Sequence, residues 1–185
     1  MKIEDIFDNL PTLHTKSLIL RKMTLEDAED LFEYASDPEV TRYVTWEPHK
    51  SVNDSINFLK SALQKYENKK VSEWGIIYKE NNKFIGTCGY VLWVPVHSLA
   101  EIGYALSREY WGRGLMTETV KEVIRFGFEK MNLNRVYARC FMENIGSQKV
   151  LEKAGMKFEG ILREQMFVKG LFRDMKIYSV LRKEY

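Results

Sequence analysis

Apolar positions along this chain recur with two different periods, and the switches between them mark its elements. Leu18-Ile-Leu-Arg21 reads as a short first strand. Thr24 with Asp27 three residues on is a variant capping box, and behind it Leu25, Ala28, Leu31, Phe32 and Ala35 recur at helical spacing until Asp37-Pro38 stops the helix. Ser51 with Asp54 repeats the start signal, and Val52, Ile56, Leu59, Leu63 and Tyr66 form one face of a second amphipathic helix. The period then changes. Trp74 to Tyr78 and Phe84 to Trp93 read as an antiparallel hairpin across the turn Glu80-Asn81-Asn82-Lys83, and Ala100 to Leu106 is a further strand after a loop around Pro95. Past Trp111-Gly-Arg-Gly114, a helix carries Met116, Val120, Val123, Ile124, Phe128 and Met131 on one side. Arg135 to Cys140 reads as a strand, and Asn144 to Ala154 as a short helix ended by Gly155. Two last strands, about Leu162 to Val168 and Asp174 to Leu181, meet across Lys169-Gly170.

The expected order is therefore βααβββαβαββ in an α/β fold. The strand-helix-strand unit from Ala100 to Cys140 needs a parallel crossover, so a mixed central sheet with helices on both faces is the natural solution. No Pro/Gly/Ser-rich linker and no internal repeat divides the chain, and residues 1–185 are expected to form one domain.

Composition narrows the function. With 45% apolar residues in 185, the chain has enough core-forming side chains to exclude a disordered segment. A net charge of +2 implies no polyanion-binding surface, and short basic pairs such as Lys69-Lys70 read as solvated faces, so no nucleic-acid partner is expected. Two cysteines, Cys88 and Cys140, and three histidines make neither a disulfide framework nor a zinc motif, and no metal site is expected. Both cysteines fit buried strand positions without a His/Asn partner for nucleophilic catalysis, and His14, His49 and His97 fall in expected loops. Met1-Lys-Ile-Glu-Asp-Ile-Phe7 has no signal-type apolar core, and the apolar run from Tyr90 to Val96 is too short to span a bilayer. A cytoplasmic protein without a membrane partner is the expectation.

The most informative stretch runs from Glu101 to Thr117. A strand enters a loop with Gly112 and Gly114, which opens a helix; such glycines let backbone N–H groups turn toward an anion, and the helix start adds partial positive charge. Arg113 adds a cation. An ordinary tight turn uses the same residues. Two rival phosphate loops do not fit. Gly114 is followed by Leu115-Met116-Thr117, with no Gly-Lys-Ser/Thr for a Walker loop, and Thr117 stands where a dinucleotide fingerprint needs its third glycine.

Trp111-Gly112-Arg113-Gly114-Leu115-Met116 resembles the Q/R-x-x-G-x-G/A motif of the GNAT acetyltransferases. Ala100-Glu-Ile-Gly-Tyr104 and Glu143-Asn144-x-x-Ser147 through Gly155 match the same superfamily, and Thr15-x-x-Leu18-x-Leu20-Arg21 is similar to its ribosomal-protein N-terminal acetyltransferase (RimJ/RimL-like) branch. The resemblance covers about Thr15 to Tyr185 and implies a GNAT fold that binds acetyl-CoA and transfers acetyl to an amine. It implies donor contacts from Ile102, Gly103, Tyr104, Ala105 and Leu106 along the strand, from Trp111, Gly112, Arg113, Gly114, Leu115, Met116 and Thr117 at the loop, and from Asn144 and Ser147 on the last helix. Asn144 is equally a plain N-cap. Two residues depart from the motif. Trp111 replaces Gln or Arg, and Met116 replaces a small residue, crowding the phosphates if it points inward.

Acetyl transfer from a thioester needs a neutral amine, a stabilised oxyanion and a proton for the leaving thiolate. Glu101 is the candidate base, the alternative being a salt-bridged strand-end acid. The tyrosine acid that many GNAT enzymes share is absent, since Leu151 occupies its place, and the resemblance assigns the acid role to Ser147. Trp46, Trp93, Tyr43 and Phe167 are candidates to line the acceptor cleft, or to be core. The Tyr43 to Lys70 segment lacks the dense carboxylate cluster expected for a polyamine or aminoglycoside site. A protein N-terminus is therefore the expected acceptor partner, with a small amine as the alternative. A non-catalytic CoA-binding module is the rival from another class. A homodimer, common among related folds, is left open.

Overall fold

Both capping boxes expected from Thr24-Asp27 and Ser51-Asp54 are present, each closing a helix start by reciprocal bonds between side chain and backbone. The computed structural model describes residues 3–185, so Met1 and Lys2 of the segment read as lacking a signal-type core lie outside it. In chain order the elements are α1 (Ile3–Phe7), β1 (Leu13–His14), β2 (Leu18–Arg21), α2 (Ala28–Ala35), α3 (Pro38–Thr41), α4 (Val52–Glu67), β3 (Glu73–Tyr78), β4 (Lys83–Val94), β5 (Leu99–Leu106), α5 (Leu115–Glu129), β6 (Arg135–Phe141), α6 (Ile145–Lys153), β7 (Lys157–Val168) and β8 (Leu171–Leu181). The expected βααβββαβαββ order is embedded in this list. The additions are α1, β1 and α3, each five residues or fewer and too short to carry a period. His14 consequently sits in a strand and not in a loop. Asp37-Pro38 also does more than stop α2: Asp37 accepts the Glu39 amide at 2.9 Å and Pro38 opens α3 at the position proline favours.

One eight-stranded sheet holds the strands in the order β1-β2-β3-β4-β5-β6-β8-β7. Every neighbouring pair is antiparallel except β5 and β6, as the α5 crossover demands. Alternation along β3 assigns the two faces. Trp74 meets Phe126 of α5 edge-on at 5.3 Å, and the Tyr90 hydroxyl donates to the Val123 carbonyl at 2.6 Å, so α5 covers one face. The adjacent Gly75 points the other way, where Tyr34 of α2 stacks on Phe84 at 6.2 Å. A Cβ on Gly75 would lie 2.4 Å from the Phe84 ring, so this strand position needs glycine for close packing. A large core runs through β2 to β6 and the inner faces of α2, α4 and α5. A second, small cluster of Phe141, Val168 and Met175, flanked by Tyr43, Leu162 and Met166, ties the β7–β8 hairpin to the end of β6.

Candidate active site

The site begins where the two parallel strands part. β5 and β6 pair only at Leu99↔Arg135, Ala100↔Val136 and Glu101↔Tyr137. Beyond that point β5 stays on β4 as far as Gly86↔Leu106, while β6 follows β8 to Phe141↔Met175. The sheet therefore opens as a V, and from Ile102 onward the inner edge of β5 offers backbone donors and acceptors with no ladder partner. A register shift between Tyr90 and Leu92 lies opposite Glu101 and Ile102; such a bulge bends and twists a strand, here at the vertex.

The glycine loop closes the wide end. Ser107 donates its amide to Ile85 at 2.8 Å, and the Trp111 indole N–H donates to the Leu106 carbonyl at 2.8 Å, folding the loop back on β5. Gly112 and Gly114 have φ of +75° and +79°, and a Cβ on either would meet nothing within 4 Å, so the loop presents open space on that side. Gly114 caps α5, whose first-turn amides have no partner inside the helix and carry its positive dipole end. This geometry has the open backbone and positive helix end that can cradle a phosphate group. Met116 and Leu115 are buried in the core, so the bulk at Met116 does not crowd the cradle; Thr117 is half-buried. The Arg113 guanidinium lies over the Tyr110 ring at 5.2 Å, and Arg108 pairs with Asp37 at 2.7 Å, drawing the start of α3 to the loop.

Titratable groups flank the V on opposite faces. In β6, the alternating buried positions Val136, Ala138 and Cys140 face one way, so Arg139 projects from the other face, with Phe141 buried at the strand end. There its guanidinium grips Glu101 in a two-pronged pair, Nε to Oε1 at 2.8 Å and Nη2 to Oε2 at 2.9 Å. Glu101 is 6% exposed, and both oxygens are engaged. Burial first, and then the Glu101 charge, push the Tyr137 hydroxyl above its ordinary range. On the α6 face the Tyr104 hydroxyl lies 2.7 Å from Ser147 Oγ. Burial raises the Tyr104 hydroxyl well above the ordinary range, so it remains a proton donor. Cys140 shares this cluster; burial raises its thiol, and the hydrogen bond from Ser147 opposes the rise. Asn144 accepts the Ser147 amide at 3.0 Å, making it the N-cap of α6 and leaving its side-chain NH2 to donate elsewhere.

The structure thus brings Glu101, the free edge Ile102–Leu106, the Trp111–Thr117 turn, Asn144 and Ser147 around one opening. It leaves others out. Cys88 and Trp93 are core residues, Phe167 is 64% exposed on the hairpin, and Trp46 packs on His49 at 5.5 Å. His49 itself is held by Ser55 at 2.8 Å, and burial lowers its pKa. Sequence reasoning gave no side-chain role to two residues that the structure places at the opening. Arg139 and the Tyr104 hydroxyl both sit at alternate strand positions that periodicity marks as inward, but their partners depend on a parallel register that no local pattern specifies. Where β6 ends, a cavity of about 190 Å³ is lined by Arg42, Tyr43, Phe141, Glu143, Val168, Lys169 and Arg173.

The V between the parallel strands thus has an unpaired strand edge on one side and a glycine turn at its mouth. Residues 17–157 match the family model described as an acetyltransferase (GNAT) domain. The chain is 39% identical over 176 residues, 95% of its length and 99% of the relative's, to an N-acetyltransferase of Bacillus licheniformis named p20 and described as uncharacterized. It is 26% identical over 95% of its length, and 91% of the relative's, to the spermidine N(1)-acetyltransferase of Escherichia coli. Among solved structures, RimL, a ribosomal L7/L12 alpha-N-protein acetyltransferase in complex with coenzyme A, superposes with a TM-score of 0.82 at 16% identity, covering 95% of this chain and all of that one. The chain belongs to the GNAT acetyltransferase family, and its activity is acetyl transfer. Among the described residues no helix is long and apolar enough to cross a membrane.

Proposed function

We propose that this protein transfers acetyl from acetyl-CoA to the N-terminal α-amine of a polypeptide, by direct attack in a ternary complex. The observation that carries the proposal is the β5–β6 opening with Glu101 on one face and Ser147 on the other. The cradle fits the donor's pyrophosphate: the Gly112–Thr117 turn supplies amides, and Ile102 to Leu106 supply a strand edge for the pantetheine arm, joined by the Asn144 side-chain NH2.

The proton inventory follows from the two faces. The amine nitrogen bonds to the thioester carbonyl carbon and the C–S bond breaks. The nitrogen's surplus proton leaves through water to Glu101, because Arg139 already occupies both carboxylate oxygens; Arg139 is then a positioning residue. The departing thiolate takes a proton from Ser147 Oγ, which the Tyr104 hydroxyl replaces. Because burial disfavours the phenolate, the proton released by the amine returns through water to restore Tyr104. Cys140 forms no acetyl intermediate in this scheme. The likeness to RimL supports an α-amine acceptor, and the likeness to a spermidine acetyltransferase favours a small polyamine. The cavity at the end of β6 supports the first: its lining holds one carboxylate, Glu143, where a polyamine calls for several.

The test is thiol release from acetyl-CoA with a panel of short free N-terminal peptides, their N-blocked forms and spermidine, the products located by mass spectrometry. Free peptides acetylated on the α-amine, faster than spermidine, are expected. Acetyl found only on lysine side chains or spermidine would sink the acceptor assignment. Stabilisation by acetyl-CoA with no amine-dependent turnover would make the protein a CoA-binding module.

A further inference from the structure

The cavity beyond Glu101 carries more positive charge than an acceptor with one ammonium requires. Phe141 follows Arg139 by two residues and so projects from the same face of β6, the face of Glu101. The cavity that Phe141 lines therefore starts ~7 Å further along the strand from the Glu101–Arg139 pair, two strand residues at the usual rise. Its charged groups are Arg42, Lys169, Arg173 and Glu143. The four are not equally committed. Lys169 Nζ donates to the Thr41 carbonyl at 2.6 Å, strapping the hairpin turn to α3. Arg42 has a loose pair with Glu39 at 3.6 Å and lies over the Tyr43 ring. Glu143 is exposed. Arg173 is half-buried and makes no ion pair among the described residues. A half-buried guanidinium that lines this cavity and pairs with no carboxylate among the described residues, Glu143 included, is a group waiting for an anion, since it has given up water without gaining a partner.

Resting on the α-amine reading above, we propose that the preferred acceptors are acidic N-termini: polypeptides with Asp or Glu at the second or third position, whose carboxylate is bound by Arg173 and Arg42. The spacing supports the position. An extended chain advances 3.3–3.6 Å per residue, so an α-amine near Glu101 places the side chain one or two residues on at the cavity. Lys169 holds the hairpin closed over this pocket and adds its charge from the rim. Glu143 is the one group that opposes an acidic acceptor and discriminates against none of the neutral ones.

The experiment compares three peptides identical except at positions two and three, which carry Asp, Ala or Lys, together with free aspartate and spermidine. Acceptor kcat/KM and the KM for acetyl-CoA are measured on the full chain. The acidic peptide is expected to exceed the alanine peptide by about tenfold, the worth of one charged contact of ~1.4 kcal/mol. Arg173→Ala should remove most of that preference while leaving the KM for acetyl-CoA unchanged, and Arg173→Lys should restore part of it. Arg42→Glu with Arg173→Glu should invert the order toward the lysine peptide. Equal rates for the three peptides would overturn the proposal while leaving the α-amine reading standing. A rise in the KM for acetyl-CoA in the Arg173 variants would also overturn it, because the cations would then serve the donor's phosphates. Acetylation of aspartate without any peptide would keep the anion site and overturn the polypeptide reading.

Discussion

Strands β3 to β5 and the β7–β8 hairpin form the two walls of the cleft, and they are packed in opposite ways. Trp74 and Ile76 are completely buried, whereas Phe167 and Phe172 on the hairpin are each 64% exposed. The donor-side wall shares the large core, so the free edge of β5, Glu101 and the glycine turn are held by packing that resists displacement. The C-terminal end of β8 joins the large core through Tyr178 and Val180. The tip of the hairpin rests on the small cluster of Phe141, Val168 and Met175 and is otherwise tied by a polar link from Lys169 to the Thr41 carbonyl. Nearer its base, Glu159 is bound to Arg135 and Ser179. In the proposed reading, reactive geometry lies on the more deeply packed half, and acceptor contacts on the more exposed hairpin tip.

The largest expected effect tests the rigidity of the first wall. Trp74→Ala should cost ~3–5 kcal/mol in chemical denaturation, the usual range for deleting a fully buried aromatic, whereas Phe172→Ser should stay within ~0.5 kcal/mol. Comparable losses for the two would erase the contrast. Glu101→Gln comes next: turnover should fall by roughly 100-fold or more, as for loss of a general base, with the KM for acetyl-CoA little changed and partial recovery at high pH. Arg139→Lys should recover more activity than Arg139→Ala, since it keeps a cation beside Glu101 while losing the two-pronged grip.

A smaller effect is expected at the donor cradle. Gly114→Val forces a β-branched residue to φ near +79° and should weaken the thermal shift given by acetyl-CoA by about 1–3 kcal/mol of binding, whereas Arg113→Ala should weaken it less. Wild-type shifts in the glycine variant would mean that the turn does not hold the donor. The smallest effect lies in the hairpin. Hydrogen bonds from Arg135 first, and then from Ser179, hold the Glu159 carboxyl down at about 2. Because its folded pKa is depressed, Glu159 contributes stability above its unfolded pKa of ~4.3 and loses it as pH falls toward 2. The group is over a third exposed, so solvent screening limits the contribution to under ~1 kcal/mol. Acid titration of wild type against Glu159→Gln should show that difference closing between about pH 4 and 2, and a constant difference would remove Glu159 from the hairpin's ties.

Where the sequence was easy to read, local physics was strong. The capping boxes at Thr24 and Ser51, the four-three stepping from Val52 to Tyr66 and the change of period at Trp74 each mark an element through contacts within a few residues. The hairpin was read short, as Leu162 to Val168 and Asp174 to Leu181, because β7 is an exposed edge strand whose side chains do not alternate. The glycine turn was visible for the same local reason: Gly112 and Gly114 occupy backbone conformations that other residues avoid.

By itself the sequence determined the order of the longer elements and the positive-φ turn at the helix start, since these depend on period, capping and backbone freedom over short spans, while Ser147 was singled out by the family resemblance. Only the tertiary structure decided that β5 and β6 separate after Glu101, that Arg139 takes both oxygens of that carboxylate, that Tyr104 meets Ser147 forty-three residues away, and that Met116 turns into the core. The reason is that a parallel register and a point of strand separation are fixed by how α5 packs across the sheet and by a bulge in the neighbouring strand, and neither is written in the residues that the separation exposes.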